Sequence, residues 1–176
     1  SESFNTIAFK GADSDYATVT ASGANWEFES GSFSIDFWYR PRSLSGNYEL
    51  FDFRPSNIDC PFMYTADARL FTAGYGGARD TGHDLTVNTF TNIVQTQEDG
   101  AAANGSKVYV DGSLVYTDPN VQTGRINCTN LRLGVSFGGT NDLKGDISTF
   151  RVYKGKELSG KEVLQNFNAQ RGRFGV

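Results

Sequence analysis

Carboxylates, one histidine and two cysteines are the groups in this sequence that could do covalent or metal chemistry. Retaining glycoside hydrolysis needs two carboxyls about 5 Å apart, which two acids on one face of a strand can supply. Glu49-Leu50-Phe51-Asp52 carries two acids, but strict alternation along a strand sends positions 49 and 52 to opposite faces. Asp36, in Ser34-Ile35-Asp36-Phe37-Trp38, has no acidic partner on its strand. His83 is the one histidine, which rules out a multi-histidine metal centre. Cys60 or Cys128 with His83 would make a nucleophilic dyad, but no sequence context favours it, and there is no Gly-x-Ser-x-Gly elbow. The run Gly74-Tyr75-Gly76-Gly77-Ala78-Arg79 lacks the Lys-Ser/Thr of a phosphate-binding loop. The expectation is a protein that is not an enzyme.

Calcium is the better metal candidate, because hard cations take several oxygens from loop carboxylates and carbonyls. Two clusters qualify: Asp80 with Asp84 around the glycine-rich segment, and Asn141 with Asp142 in a later turn. The competing reading, which is favoured, is that Asp and Asn populate turns for their local hydrogen bonds. Cys60 and Cys128 lie far apart and read as two half-buried free thiols rather than one long-range bridge.

The elements that must position these groups are strands. Phe33, Ile35, Phe37 and Tyr39 alternate with Ser34, Asp36, Trp38 and Arg40, the period-two pattern of a strand, and Pro41 ends it. Further strands are predicted over 4–9, 16–20, 48–53, two short ones within 62–72 turning near Ala66-Asp67-Ala68, 89–97, 131–137 and 143–153. The second of these reads as hairpin partner or successor of the first. Positions 107–118 form a hairpin turning at Asp111-Gly112. Between Ile147 and Phe150 the apolar parity slips, which predicts a bulge or a doubly covered segment. Ser159-Gly160-Lys161-Glu162 is a capping box opening a short helix, with Val163, Leu164 and Phe167 as its apolar side. Residues 74–82 read as a long glycine-rich loop.

Composition agrees with an all-β chain: 14% aromatics and 20 glycines suit twisted strands joined by tight turns. Sixteen Lys and Arg against 20 Asp and Glu give a net charge of −4. No basic cluster is visible, so nucleic acid is excluded as a partner. No run of about 18 apolar residues exists to span a membrane, and no charged-then-apolar segment opens the sequence. One domain over 1–176 is expected.

Gly145-Asp146-Ile147-Ser148-Thr149-Phe150-Arg151-Val152-Tyr153, with Glu157-Leu158-Ser159 and Glu162-Val163, resembles the closing signature of laminin-G-like domains of the concanavalin A-like lectin/glucanase superfamily. Residues 33–41, and Asn88-Thr89-Phe90 continuing to Val108-Tyr109-Val110-Asp111-Gly112, resemble its early strand and middle hairpin. The family's usual acidic pair is Ser148-Thr149 here. The ending Asn166-Phe167-Asn168-Ala169-Gln170-Arg171-Gly172-Arg173-Phe174-Gly175 resembles that of laminin-G-like domains in bacteriophage virion proteins.

The resemblance implies a jelly-roll β-sandwich of two antiparallel sheets with a short C-terminal helix. It also implies a rim calcium ion, as many such domains hold, and carbohydrate binding. A glucanase would need a Glu-x-Asp-x-x-Glu type of motif, which is not found. Sugars stack on aromatic rings, so Tyr75, Arg79 and His83 form one candidate ligand set. Trp38 with Asp36 and Arg40 forms another, provided that face is open. The competing reading, which the size of Trp38 favours, is that it packs in the core or beneath a loop. The expected role is a non-catalytic virion protein (head decoration, appendage or fibre component), assembled in the host cytoplasm as a homo-oligomer. It would bind other virion proteins and host surface glycans. The alternative is an extracellular, calcium-dependent carbohydrate-binding or adhesion module, which a disulfide would favour.

Overall fold

The computed structural model describes residues 6–11, 15–19, 26, 28, 31–56, 60–73, 77–100, 103–120, 128 and 130–176. Twelve strands precede one helix: β1 (Ile7–Lys10), β2 (Ala17–Val19), β3 (Phe33–Pro41), β4 (Asn47–Asp52), β5 (Phe62–Ala66), β6 (Arg69–Ala73), β7 (Arg79–Asp84), β8 (Thr91–Gln97), β9 (Ser106–Val110), β10 (Ser113–Thr117), β11 (Leu131–Leu133), β12 (Lys144–Lys154) and α1 (Gly160–Phe174). They form two six-stranded antiparallel sheets, β1-β12-β3-β8-β9-β10 and β2-β11-β4-β5-β6-β7. β1 and β2 therefore lie in different sheets and are not a hairpin. The strand expected over 131–137 stops at Leu133 because the chain turns from Gly134 onward.

The sheets face each other across a core that takes Phe33, Ile35, Phe37 and Tyr39 from β3, Met63 from β5, Leu70 from β6, Ile93 from β8 and Leu131 and Leu133 from β11. β12 lies beside β3 with Ile147 opposite Tyr39. Gly145 is required there, since a Cβ would come within 2.6 Å of the Tyr39 ring and 2.7 Å of the Arg40 carbonyl oxygen. The Asp146 carboxylate then accepts from Arg40 and Arg42 at 2.7–3.1 Å. The parity slip is a bulge between Ser148 and Arg151, and Thr149 takes a left-handed φ of 54°.

The capping box forms as expected, with Ser159 Oγ accepting from Glu162 N–H and the Glu162 carboxylate accepting from Ser159 N–H. The helix is longer than expected, 15 residues. It lies on the outer face of the first sheet and buries Val163, Phe167 and Phe174, while Leu164 stays exposed. Trp38 sits under it, fully buried, stacked on Phe174 at 4.1 Å and Phe167 at 5.8 Å between centroids. Both faces of β3 are thus covered. Trp38→Ala should cost about 3–5 kcal/mol of unfolding free energy, read from denaturant melts; a loss under about 1 kcal/mol would contradict this packing.

Cys60 and Cys128 are joined in a disulfide with Cα atoms 5.7 Å apart, both fully buried. The free-thiol expectation is corrected: the sandwich brings together two residues separated by 68 positions. A loop of that length implies about 4 kcal/mol of stabilisation from chain entropy. Thiol titration in denaturant should find no reactive thiol before reduction, and reduction should lower the unfolding midpoint.

Candidate functional site

The outer face of the second sheet carries the site, and a bulge in β4 creates it. Glu49 pairs with Tyr64, Phe51 with Met63 and Asp52 with Phe62, leaving Leu50 as the extra residue. The inserted residue reverses parity, so Glu49 and Asp52 emerge on one face. Register continues their rows outward: Glu49–Tyr64–Phe71–Asp80 and Thr18–Arg132–Asp52–Phe62.

Arg54 organises the two acids. It grips Asp52 with Nε at 2.9 Å and Nη2 at 2.7 Å, and the same Nη2 reaches Glu49 at 3.3 Å. Backbone N–H groups of Arg54 and Phe137 complete the Asp52 carboxylate, each at 2.8 Å. The guanidinium also stacks over Phe62 at 3.5 Å and over Phe137 at 4.8 Å. Phe62, Tyr64 and Phe71 form a half-exposed run of near-parallel rings, with centroids 6.1 and 5.0 Å apart. A cleft of about 290 Å³ opens here, lined by Asn47, Glu49, Arg54, Phe62, Tyr64 and Asn141.

Glu49 forms the buried floor of this cleft. Burial, and then the neighbouring Asp52 carboxylate, push its carboxyl up to about 8 against the pull of Arg54 and an Asn141 hydrogen bond. At neutral pH Glu49 is then largely protonated, leaving Asp52 and Arg54 as a neutral pair. Flat apolar rings beside a carboxyl and amides suit a ligand with an apolar face and a hydroxyl-bearing rim.

The expected residues fall elsewhere or take other roles. Trp38, together with Asp36, is roofed by α1, so the proposed Trp38 platform does not exist. Asp36 is fully buried, and its carboxyl is raised by burial while Asn92, Arg151 and Asn166 hold it. Tyr75 lies outside the described residues. The glycine-rich loop is shorter than expected, because β7 begins at Arg79. Arg79 pairs with Asp118 at 3.7 Å, and alternation along β7 puts Arg79 and His83 on the side opposite Asp80 and Asp84. Asp80 and Asp84 share Arg69, at 3.3 and 2.5 Å, so a protein cation already sits between them. Asn141 joins the cleft through Glu49, whose N–H donates to its carbonyl at 2.9 Å, and Asp142 is half-buried in the same turn. Among the described residues no three His, Cys, Asp or Glu side chains cluster to hold a metal ion.

Alternation hid the pair Glu49 and Asp52. The signal that could have found it is the adjacent apolar pair Leu50-Phe51, a parity slip like the one in β12. Because the folded carboxyl of Glu49 titrates near 8 and the unfolded one near 4.5, the native state binds the extra proton between them. Stability should therefore fall as pH rises through that window, by on the order of 5 kcal/mol. Glu49→Gln should flatten that slope in denaturant melts run at acidic, neutral and mildly alkaline pH; an unchanged slope would refute the assignment.

A family profile of laminin G type, described as the concanavalin A-like lectin/glucanases superfamily, matches residues 10–164. No curated protein sequence matches. Solved structures with this fold include the botulinum neurotoxin serotype G binding domain, with TM-score 0.72 and 16% identity over 92% of this chain and 42% of that one. Botulinum neurotoxin type C, whose cell entry is dependent upon interaction with two ganglioside molecules, aligns with TM-score 0.67 and 18% identity, over 92% and 42%. Trypanosoma rangeli sialidase aligns with TM-score 0.64 and 16% identity, over 81% and 23%. This chain spans less than half the length of each of these, and at such identities the likeness is one of fold. The chain belongs to the laminin G-type family of the concanavalin A-like lectin/glucanases superfamily.

Proposed function

We propose that the chain is a non-catalytic carbohydrate-binding module that holds a glycan on the outer face of its second sheet. The observation that carries this reading is the run of Phe62, Tyr64 and Phe71 rings beside the Glu49 and Asn141 hydrogen-bonding groups. Support for a non-catalytic role comes from Asp52: its four hydrogen bonds fill its acceptor sites and it is fully buried, so no lone pair is left to attack a sugar. The ganglioside dependence of botulinum neurotoxin type C adds a fold-level analogy to glycan recognition.

The Cys60–Cys128 bridge supports an extracellular setting, where disulfides persist. The second reading, a bacteriophage virion module assembled in the host cytoplasm, is supported by the resemblance of residues 166–175 to virion proteins. In that setting weak glycan contacts would be multiplied by copy number. Two residues of that ending, Phe167 and Phe174, stack on Trp38, so part of the resemblance has a packing cause. A mass determination separates the two: a monomer favours the first reading, a stable oligomer the second.

A glycan array tests the site itself. Tyr64→Ala and Phe71→Ala should each weaken binding roughly tenfold with the far-UV spectrum unchanged. A folded chain that binds no glycan would end the proposal.

A further inference from the structure

We infer that the same face carries a second, anion-selective subsite at Arg132, and that the ligand is a linear oligosaccharide with an acidic sugar at that end. This rests on the carbohydrate-binding reading above. Leu131 and Leu133 point into the core, so Arg132 between them emerges on the outer face, with Thr18 and Asp52 as register partners. A second cleft, of about 330 Å³, opens there against Tyr16, Thr18, Arg132, Ser136 and Phe137. Tyr16 is half exposed, at 51%.

The cations of this face differ in one respect. Arg54 is taken up by Asp52 and Glu49, and Arg69 by Asp80 and Asp84. Arg132 ion-pairs with no carboxylate among the described residues. Its Nη1 donates to the Arg54 carbonyl at 2.8 Å, which steadies the arm, and among the described residues the rest of the guanidinium fork is left for a ligand. A planar fork held this way suits a carboxylate, and Tyr16 and Phe137 supply ring faces for the sugar that carries it.

The first cleft has the opposite character. Its one cation is already neutralised, and Asp52 and Glu49 lie beneath it, so it takes an uncharged ring. Phe137 and the Arg54 guanidinium stacked on it separate the two clefts. From β11 to β5 is two strand spacings, roughly 10 Å, a span for a short chain rather than a single ring. An oligosaccharide crossing the strands would set a neutral unit on Tyr64 and an acidic one at Arg132.

The test is an array of neutral linear oligosaccharides beside the same cores ending in a sialic or uronic acid, probed with the wild-type chain, Arg132→Gln, Arg132→Lys and Tyr64→Ala. Acid-ended glycans should bind the wild type about tenfold or more tightly than their neutral counterparts, and the margin should shrink as salt rises. Arg132→Gln should erase the margin while neutral binding persists. Arg132→Lys should keep part of it, and Tyr64→Ala should weaken both classes. Equal binding of neutral and acid-ended glycans, or a preference that survives Arg132→Gln, overturns this inference and leaves the carbohydrate reading standing. No binding to either class overturns both.

Discussion

The rest of the structure depends on β3 being buried on both faces. Phe33, Ile35, Phe37 and Tyr39 fill the space between the sheets, while Ser34, Asp36 and Trp38 are sealed beneath the C-terminal helix and the segment that leads into it. An unpaired buried donor or acceptor costs about 1–3 kcal/mol; on that second face Ser34 and Asp36 are paired, while Trp38 Nε1 has no partner among the described residues. Ser34 Oγ donates to the Lys156 carbonyl and accepts from the Leu158 N–H, and Asp36 accepts from Asn92, Arg151 and Asn166. These bonds tie β3 to β8, β12 and α1. With the helix seated there, the aromatic surface open to a ligand lies on the other sheet.

Two bulges serve different ends. In β12 the bulge sits just after Ser148, with Thr149 in a left-handed conformation. In β4 the bulge brings two carboxylates onto one face, where a single arginine neutralises part of their charge. Close packing of two acids and one base leaves one negative charge too many. Protonating Glu49 resolves the excess, since burial penalises the charged form. The result is a neutral hydrogen-bonding floor under an aromatic platform.

The disulfide and the helix act on opposite faces of the first sheet, one within the sandwich core and one outside it. Cys60 and Cys128 belong to the interior shared by the two sheets, whereas Phe167 and Phe174 belong to a separate aromatic cluster with Trp38 and Phe90. The first sheet is therefore held on both of its faces. The second sheet is packed on its inner face, and its outer face is free to present rings, amides and Arg132.

Local order was legible in the residues themselves. Alternation marked β3, Asp111-Gly112 marked the β9–β10 turn, Ser159 and Glu162 marked the start of α1, and the slip near Phe150 marked a bulge. Each depends on neighbours within a few positions, and the physics of strands, turns and caps operates over that range. The candidate site was not legible. Whether Trp38 is a platform or a buried ring depends on Phe174 docking from the far end of the chain. Whether Cys60 is free depends on where residue 128 arrives. Glu49 and Asp52 share a face because β5 pairs with β4 in a register that leaves Leu50 over. Sequence alone determined most of the strand segments, though not β7 or the early end of β11, and the alternation of their side chains where no bulge intervenes. Only the tertiary structure decided which faces are covered and which charges meet, because those contacts join residues that the chain itself keeps far apart.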